Sequence, residues 1–362
     1  MTRVIFADGS MKVANVEPFC NYFERCGGCS YQHWDETEYR SWKRGKVIAA
    51  LARQSIDSSV AETVDAHGAG RRRVSLHVRK IDATWHAGFM AAKSHDLVTL
   101  DACPVLAPRL QLAPVVAADF GPTLGNCDVA VTLADQGLDV AIRAERSAGT
   151  KRLPHLQELF QKHRLCRLSV NGEAVFTQGT PMIAMGNARV PLPVESFLQA
   201  TQAGEDALAS VVAAILKKSK LIVDLFCGIG PFAIRLAQKA HVHAIDMDAR
   251  AIACLTSAVN STQGLKPITA ETRDLFRNPA VHQELNEFDG IVLDPPRAGA
   301  EAQCRAIGKS KVKRVAYVSC DTVSFARDAR ILTDAGYQLK QVTPVDQFKW
   351  TAHIEMVGEF VR

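Results

Sequence analysis

The sequence lacks the apolar segments that membrane and exported proteins carry. No hydrophobic run approaches the ~20 residues needed to span a bilayer. The N-terminus, Met1 to Ser10, contains Asp8 and has no apolar core of the kind found in signal peptides. We therefore expect a cytoplasmic protein without a membrane partner.

Internal repeats and low-complexity tracts are also missing, so neither a repeat architecture nor a disordered chain is expected. The composition is that of ordinary globular proteins, with 47% hydrophobic and 22% charged residues. A chain of 362 residues is longer than one hydrophobic core usually holds, which predicts two or three domains.

The ten cysteines are not expected to form disulfides, because the chain has no export signal and the cytosol keeps thiols reduced. The formal net charge is +5, but the basic residues are locally dense. The dense groups are Lys43, Arg44 and Lys46; Arg71, Arg72, Arg73, Arg79 and Lys80; and Lys309, Lys311, Lys313 and Arg314. Each group alone is equally typical of a solvated face, whereas together they favour a polyanionic partner over a small neutral substrate.

The hydrophobic pattern changes near residue 200. Between about Val74 and Leu106, and again over 128–143 and 167–185, short apolar runs alternate with turn residues and predict antiparallel strands. Residues 153–163 have helical spacing instead. This first half therefore predicts an α+β region.

After residue 200, strands and helices alternate. The pattern predicts helices at 204–217, 232–239 and 250–260 and strands at 221–225, 242–245, 290–293 and 314–319. Such alternation is typical of an α/β fold with a parallel, Rossmann-like sheet. We expect an N-terminal segment at 1–66, the α+β region at 67–200 and the Rossmann-like domain at 201–362.

A glycine turn follows the first predicted strand of this last domain. Gly228 and Gly230 permit a tight turn and a close approach of the backbone to a ligand. The pair alone is weak evidence, since the third glycine of the dinucleotide motif is missing. Asp246 ends the next strand, where it is either a structural acid or an acid facing ribose hydroxyls. Together the three residues favour a nucleoside-type cofactor.

Two further acids follow strands of the same sheet. Asp294 opens the sequence D-P-P-R at the end of a hydrophobic strand, where two rigid prolines predict a preorganised loop facing the ligand crevice. Asp274 follows another strand and is a candidate for contact with an adenine ring.

A cysteine and a glutamate are candidates for the reaction itself. Cys320 lies just past a buried strand at the same edge as Asp294; core packing is the commoner role of cysteines, but this position favours a nucleophile. Glu355, in H-I-E at the end of another predicted strand, is either a catalytic base or a solvent-facing residue.

In this order and spacing the motifs resemble those of the bacterial RNA uracil-C5 methyltransferases, which form 5-methyluridine. The resemblance covers nearly the whole chain and is carried by F-L-Q at 197–199, D-L-F-C-G-x-G-x-F at 224–232, D-P-P-R at 294–297, V-S-C at 318–320 and H-I-E at 353–355. It implies that Cys320 is the nucleophile, that Glu355 is the base, and that S-adenosylmethionine is contacted by Gln199, Phe226, Asp246 and Asp294. The chain has S-C-D-T where the family commonly has S-C-N-P, and Asp246 where it usually has Glu.

The implied chemistry explains why a thiol and a carboxylate are needed together. Carbon 5 of uracil is a poor nucleophile, and addition of a thiolate to carbon 6 turns the ring into an enolate that attacks the sulfonium methyl group. A base must then remove the proton from carbon 5 before the enzyme is released.

Four cysteines near the N-terminus predict a metal centre. Cys20, Cys26 and Cys29 are close in sequence, and Cys103 is remote from them. Their spacing fits structural zinc and an iron–sulfur cluster equally well. The stretch 26–34 resembles the cluster-bearing branch of the family, which implies a [4Fe-4S] cluster with a structural or RNA-contact role.

The resemblance also implies an RNA partner and a monomeric enzyme. A uracil in folded RNA has to be flipped out to reach Cys320, and the basic residues 71–73 are candidates for backbone contact. The cluster-bearing branch favours 23S ribosomal RNA over transfer RNA. The alternatives are a transfer-RNA uracil methyltransferase, a methyltransferase of another base, and a non-catalytic iron–sulfur RNA-binding protein.

Overall fold

The computed structural model describes residues 16–362, so the first part of the predicted segment 1–66, including Met1 to Ser10, lies outside the described residues. In the first half, a short 3₁₀ helix (Pro108–Leu110) accompanies the following elements: α1 (Glu36–Arg53), β1 (Ser59–Val60), β2 (Val64–Asp65), β3 (Arg73–Ile81), β4 (Thr84–Met90), β5 (Leu97–Thr99), α2 (Ala113–Ala118), α3 (Gly121–Leu124), β6 (Cys127–Ala134), β7 (Gly137–Ala144), α4 (Leu153–Lys162), β8 (Leu165–Val170), β9 (Glu173–Thr177), β10 (Met182–Met185) and β11 (Ala188–Pro191).

In the second half, strands and helices alternate as the pattern predicts. The elements are α5 (Gln202–Ile215), β12 (Leu221–Leu225), α6 (Ala233–Leu236), β13 (His241–Asp246), α7 (Ala249–Ser261), β14 (Ile268–Thr272), α8 (His282–Leu285), β15 (Gly290–Leu293), α9 (Glu301–Lys309), β16 (Arg314–Ser319), α10 (Thr322–Asp334), β17 (Gln338–Asp346) and β18 (Glu355–Val361). The helix predicted at 232–239 is only one turn long, because the chain turns back after Leu236 to enter β13.

The first half forms a seven-stranded sheet in the order β5-β4-β3-β6-β7-β8-β9. Every pair is antiparallel except β7 and β8, which are parallel because α4 crosses over between them. Inward-facing side chains such as Leu76, Val129 and Ile142 pack with α2, α3 and α4 into one core. The predicted antiparallel strands and the helix at 153–163 are confirmed.

The second half forms the larger sheet, in the order β1-β17-β18-β16-β15-β12-β13-β14, with β2 also paired to β17. Strands β12 to β16 are parallel, and β18 lies antiparallel between β16 and β17. Every residue of β15 is buried, as expected for a parallel strand covered by helices on both faces. The α/β prediction for this half is confirmed.

Helix α1 belongs with the larger sheet although it lies near the N-terminus. Asp35 begins it by accepting hydrogen bonds from the backbone N–H groups of Thr37 and Glu38. Its buried face, which includes Val47 and Leu51, packs against α10 and β17. Strands β1 and β2 then pair with β17. The boundaries at 66 and 200 stay a prediction.

Across residues 16–362, no helix combines the length and the apolar character that crossing a membrane requires.

Candidate active site

The predicted cofactor and reaction residues come together at one edge of the larger sheet. Phe226 follows β12, Asp246 ends β13, Asp294 follows β15 and Cys320 follows β16. These strands are parallel neighbours, and β12 lies between β13 and β15. Their carboxyl ends therefore open into one crevice, at the position where open α/β sheets bind ligands.

The glycine turn is held in an unusual backbone conformation by Asp246. Phe226, Gly228 and Gly230 have φ values of 65°, 53° and 88°. The carboxylate of Asp246 accepts a hydrogen bond of 2.8 Å from the backbone N–H of Gly228 and another of 2.8 Å from that of Asp248. A side chain at Gly228 would meet nothing within 4 Å, so the backbone here is open to a ligand.

Exposed apolar side chains stand beside the predicted cofactor residues. Phe197, Met247 and Phe276 are 69%, 62% and 47% exposed. The ring of Phe276 lies 5.3 Å from that of Phe226, centroid to centroid. Large apolar side chains left in water beside polar groups are typical of a ligand surface. The residues present therefore fit a nucleoside with both an apolar base and polar ribose hydroxyls.

Asp274 lies after β14, next to the strand that ends in Asp246. One oxygen of its carboxylate accepts hydrogen bonds from the backbone N–H groups of Phe276 (2.9 Å) and Arg277 (3.2 Å). The structure thus gives Asp274 a role in shaping the turn that carries Phe276, and it leaves the predicted contact with adenine untested.

Cys320 and Glu355 are neighbours across a strand pair. Strands β16 and β18 are antiparallel, and Ser319 pairs with Met356, so the next position of the register brings Cys320 beside Glu355. The expectation that Glu355 ends a strand is wrong, because it is the first residue of β18. The antiparallel direction of β18 is the physical reason: its beginning lies where the parallel strands end.

Glu355 is buried rather than solvent-facing. Its side chain is in hydrogen-bond contact with Gln347, which also contacts Gln199. Burial raises the pKa of the Glu355 carboxyl to about 7, although the hydrogen bond from Gln347 and the charge of Arg297 oppose the shift. A carboxyl with this pKa can exchange a proton near neutral pH.

Neither burial nor the neighbouring carboxyl groups make the thiol of Cys320 more acidic. Burial and the charges of Glu355 and Asp294 raise its pKa to about 11, while Arg297 acts in the opposite direction. Burial, together with the charge of Glu355, also raises the pKa of Asp294 well above its usual value. The crevice thus brings together three groups whose pKa values are raised, Cys320, Asp294 and Glu355.

Asp224 is a buried carboxyl that the sequence interpretation missed. It lies in β12 and is fully buried, and within the described residues no side chain pairs with either of its oxygens. Burial raises its pKa to about 8, so the group is mostly protonated at pH 7. Its place in D-L-F-C-G was the available signal, but only the fold reveals its burial.

The four predicted metal ligands line one cavity of about 160 Å³. Cys20, Cys26 and Cys29 come from the N-terminal loop, and Cys103 follows β5 of the smaller sheet. Burial raises the pKa of Cys103 to about 12 and also raises those of Cys26 and Cys29. The cavity therefore joins two distant parts of the chain.

Unpartnered donors face the same cavity. Atoms Nε and Nη2 of Arg71, which lines the cavity, are buried and have no hydrogen-bond partner among residues 16–362. Such donors fit an anionic group, as a thiolate-ligated metal centre would be. Over the same residues, no group of three or more His, Cys, Asp or Glu side chains is arranged to hold a single metal ion.

The predicted RNA contact by residues 71–73 is wrong for Arg72. Its guanidinium is buried, pairs with Glu205 and donates to the carbonyl of Gln199 at 3.0 Å. Arg73 donates to the carbonyl of Ser196 at 3.0 Å. These residues tie the smaller sheet to the segment that leads into α5, and the charge pattern alone does not distinguish such ties from a solvated face.

Helix α1 holds the loop between β17 and β18, which leads into Glu355. The ammonium group of Lys43 is fully buried, pairs with Asp346 and donates to the carbonyl of His353 at 2.7 Å. The hydroxyl of Tyr39 donates to the carbonyl of Thr351 at 3.2 Å. Burial lowers the pKa of Lys43 to about 8, although Asp346 opposes the shift.

The cysteine loop contacts the same loop. The backbone N–H groups of Ser30 and Tyr31 donate to the carbonyl of Trp350 at 2.9 and 3.2 Å. The ring of Trp350 also packs on that of Phe19, with 4.7 Å between centroids. The cysteine loop is thus in direct contact with the loop that leads into Glu355.

Comparisons with known proteins agree with this geometry. The family described as tRNA (Uracil-5-)-methyltransferase matches residues 189–361. The chain is 42% identical over 345 residues to an RNA methyltransferase of Brucella suis, which covers 94% of this chain and 83% of that protein.

A 23S rRNA (uracil(1939)-C(5))-methyltransferase of Vibrio parahaemolyticus is 29% identical over 365 residues, covering 96% of this chain and 82% of the relative. Among solved structures, the tRNA (uracil-54, C5)-methyltransferase of Pyrococcus abyssi in complex with S-adenosyl-L-homocysteine is similar with a TM-score of 0.75 and 20% identity, covering 97% of this chain and 87% of that one. At that identity the likeness shows a shared fold.

Proposed function

Because the chain belongs to the family of RNA uracil-5 methyltransferases, we propose that methyl transfer takes place in the crevice between Cys320 and the glycine turn. The protein is an S-adenosylmethionine-dependent RNA uracil-C5 methyltransferase. The proposal concerns which residues carry the reaction, which RNA is used, and what the four cysteines hold.

Cys320 is the proposed nucleophile. After the thiol has lost its proton to solvent, the thiolate adds to carbon 6 of the uracil, which forms a C–S bond while the double bond between carbons 5 and 6 breaks and its electron pair moves into the enolate of carbons 5 and 4. The observation that carries this assignment is the placement of Cys320 beside Glu355 at the strand edge where Asp294 also lies.

Glu355 is the proposed base. After methyl transfer it removes the proton from carbon 5, the electron pair re-forms the ring double bond, and the C–S bond breaks to return the thiolate. A buried carboxyl with a pKa of about 7 is suited to this step, since it accepts a proton strongly when ionised and is partly ionised at neutral pH.

The residues proposed to hold S-adenosylmethionine are Gln199, Phe226, Gly228, Gly230, Asp246, Asp274 and Asp294. When bound, the cofactor supplies a methyl group on a positively charged sulfonium. Asp246 is proposed to contact ribose hydroxyls, because it ends β13 at the edge of the sheet where such acids bind ribose, and the open backbone at Gly228 supports a close approach of the cofactor. Asp294 follows β15, which lies between the strand that precedes Cys320 and the strand that precedes the glycine turn.

Ribosomal RNA is the proposed substrate, and transfer RNA is the alternative. The Vibrio relative, which acts on 23S rRNA by its name, shares more sequence with this chain than the Pyrococcus enzyme, which acts on tRNA by its name. We expect the uracil to be flipped out of its stack, because Cys320 lies in a crevice of the sheet edge.

A [4Fe-4S] cluster is the proposed occupant of the cysteine cavity, with structural zinc as the alternative. Zinc needs four sulfurs about 2.3 Å from one ion, and so within about 4 Å of each other. A cubane cluster spreads its four thiolates over four irons and suits a larger spacing. The unpartnered donors of Arg71, among the described residues, support an anionic group of either kind. The cluster would hold the loop against Trp350 rather than transfer electrons.

Trapping on modified RNA tests the reaction. RNA transcribed with 5-fluorouridine accepts the thiol and the methyl group, but its carbon 5 has no proton to lose, so a covalent protein–RNA complex should persist in denaturing gels. The full chain should form this complex, and peptide mapping should place the link at Cys320. Cys254→Ser, which changes another half-buried cysteine, is the matched control. A complex that survives Cys320→Ser would overturn the assignment.

Mapping 5-methyluridine in RNA from a strain without this protein tests the substrate. Loss of one site in 23S rRNA supports the proposal, and loss of a transfer-RNA site would support the alternative. If no 5-methyluridine site disappears, the proposed function is wrong.

A further inference from the structure

Gln347 stands at the centre of a buried hydrogen-bond network that joins the proposed base to a proposed cofactor residue. It lies between β17 and β18, and its side chain is fully buried. Its amide nitrogen donates to the Oε1 atom of Gln199 and, at 3.2 Å, to the Oε1 atom of Glu355. Its own Oε1 accepts from the backbone N–H of Thr201 at 3.4 Å.

These contacts fix the orientation of the amide. An NH₂ group has two hydrogens, and here each has an acceptor, one on Gln199 and one on Glu355. If the amide were rotated by half a turn, its oxygen would face the carboxylate oxygen of Glu355, and the N–H of Thr201 would face a donor. Only one of the two orientations satisfies the network.

The surrounding backbone leaves room for this side chain and no more. Gly204 of α5 lies against Gln347, and a Cβ atom there would be 2.6 Å from its Oε1 and 2.7 Å from its Cβ. The residue before it, Asp346, is paired with Lys43 of α1. Helix α5 therefore contacts Gln347 directly, and helix α1 holds the residue that precedes it.

We infer that Gln347 is a positioning residue that sets the Glu355 carboxylate for proton removal and the Gln199 amide for cofactor contact at the same time. The inference rests on the proposed role of Glu355 as the base. Because one amide donates to both Gln199 and Glu355, a change in the position of one of these side chains changes the hydrogen bond to the other.

Gln347→Met removes both donors and keeps the length and volume of the side chain. We expect kcat to fall by about 10-fold to 100-fold, because a mispositioned base slows the last step. The KM for S-adenosylmethionine should rise several-fold as Gln199 loses its partner. The acid limb of the pH profile should move to higher pH, since a hydrogen bond that stabilises ionised Glu355 is lost.

The amount of covalent protein–RNA intermediate distinguishes positioning of the base from a merely structural role, because a structural defect alone would not make this intermediate accumulate. With in vitro transcribed 23S rRNA of ordinary uridine, slow proton removal should leave the methylated RNA attached to Cys320, and the complex should be visible in denaturing gels. Gln303→Met is the matched control: Gln303 is equally buried and bonds the backbone of Ala280 at 2.9 and 3.0 Å, away from the crevice.

Gly204→Ala tests the same inference without altering any polar group, and it carries the test if Gln347→Met does not fold. The added methyl group would lie 2.6 Å from Oε1 of Gln347 and 2.9 Å from the Thr201 hydroxyl that caps α5, so it has to displace this pair, and the same three changes are expected at a smaller size, about 3-fold to 10-fold in kcat. Gly45→Ala is its control, because Gly45 is also helical and a Cβ atom there would meet nothing within 4 Å.

Glu355→Gln separates this inference from the proposed function. If Glu355→Gln accumulates the covalent complex while Gln347→Met and Gly204→Ala behave like their controls, Glu355 is the base and Gln347 has no positioning role. If Glu355→Gln turns over like the unchanged enzyme, the base assignment is wrong and the inference fails with it. Complex accumulation in all three variants supports both.

Discussion

The crevice and the cysteine cavity both bury thiols, but different groups shift the pKa of those thiols. In the crevice, burial and the carboxyl groups of Glu355 and Asp294 raise the pKa of Cys320, and Arg297 opposes them. In the cavity, the charge of Arg71 lowers the pKa of Cys29 and Cys103 against the effect of burial. The partly ionised carboxyl of Glu355 therefore suits the crevice to a cationic ligand such as a sulfonium, and Arg71 suits the cavity to an anionic metal–thiolate centre.

The largest expected effect comes from replacing a thiol, and it separates methyl transfer, which depends on the crevice, from metal content, which depends on the cavity. Cys320→Ser should lower methyl transfer by on the order of 10⁴-fold, because a hydroxyl is a far weaker nucleophile, and should leave the metal content unchanged. Cys103→Ser should lower the iron and sulfide content of the purified protein. If Cys320→Ser also lost the metal, the two regions would not be independent in this respect.

The next effect concerns the helix that contacts the loop shared by the two regions. Lys43→Met should destabilise the protein by about 3–5 kcal/mol, because it leaves Asp346 as an uncompensated buried charge. Urea unfolding measures the change. Replacing both members, Lys43→Met with Asp346→Leu, should recover a large part of it, and a double variant no more stable than the single one would contradict the pairing argument.

A smaller effect is expected from the positive charge in the cavity. Arg71→Met should weaken metal retention by about 10-fold to 100-fold, since the donors that face the cavity are lost. The measurement is the iron content after dialysis against a chelator. Arg305→Met, which removes an exposed arginine of α9, is the control. If the two variants retain iron equally, the proposed preference of the cavity for an anion is wrong.

The smallest effect is the pH dependence of the crevice. The base has to be ionised, and burial raises the pKa of Glu355 to about 7, so kcat should fall as the pH is lowered through 7. The step that needs ionised Glu355 is the release of the methylated RNA, and at pH 6 the rate of this step should be about one tenth of its plateau. Single-turnover release rates between pH 5.5 and 8.5 check this, and a plateau that extends down to pH 5.5 would show that Glu355 is not the group that titrates.

Much of the crevice could be predicted from the sequence because it is built from strand ends. An apolar run followed by Asp294 or Cys320 indicates both a buried strand and a residue at its carboxyl edge, so local pattern is enough. Gln347 could not be found this way. It lies in the loop between two strands, and although Glu355 follows eight residues later, its other partner Gln199 is 148 residues away in the chain.

The supporting contacts escaped prediction for the same reason. Strands β1 and β2 have two residues each, too few for any period to be seen. Lys43 and Arg72 have the appearance of surface cations in the sequence, and only their distant partners, Asp346 and Glu205, explain why they are buried. Charge density indicates a polyanion partner or an internal ion pair equally well until the fold is known.

The contacts between the N-terminal segment and the β17–β18 loop have a consequence for biosynthesis. Tyr39 and Thr351 are 312 residues apart, and Lys43 and Asp346 are 303 residues apart. A chain made from its N-terminus therefore exposes Cys20, Cys26 and Cys29 long before the loop on which their segment docks has been synthesised. Docking of the cysteine loop on Trp350 therefore belongs to a late stage of folding, when translation is nearly complete.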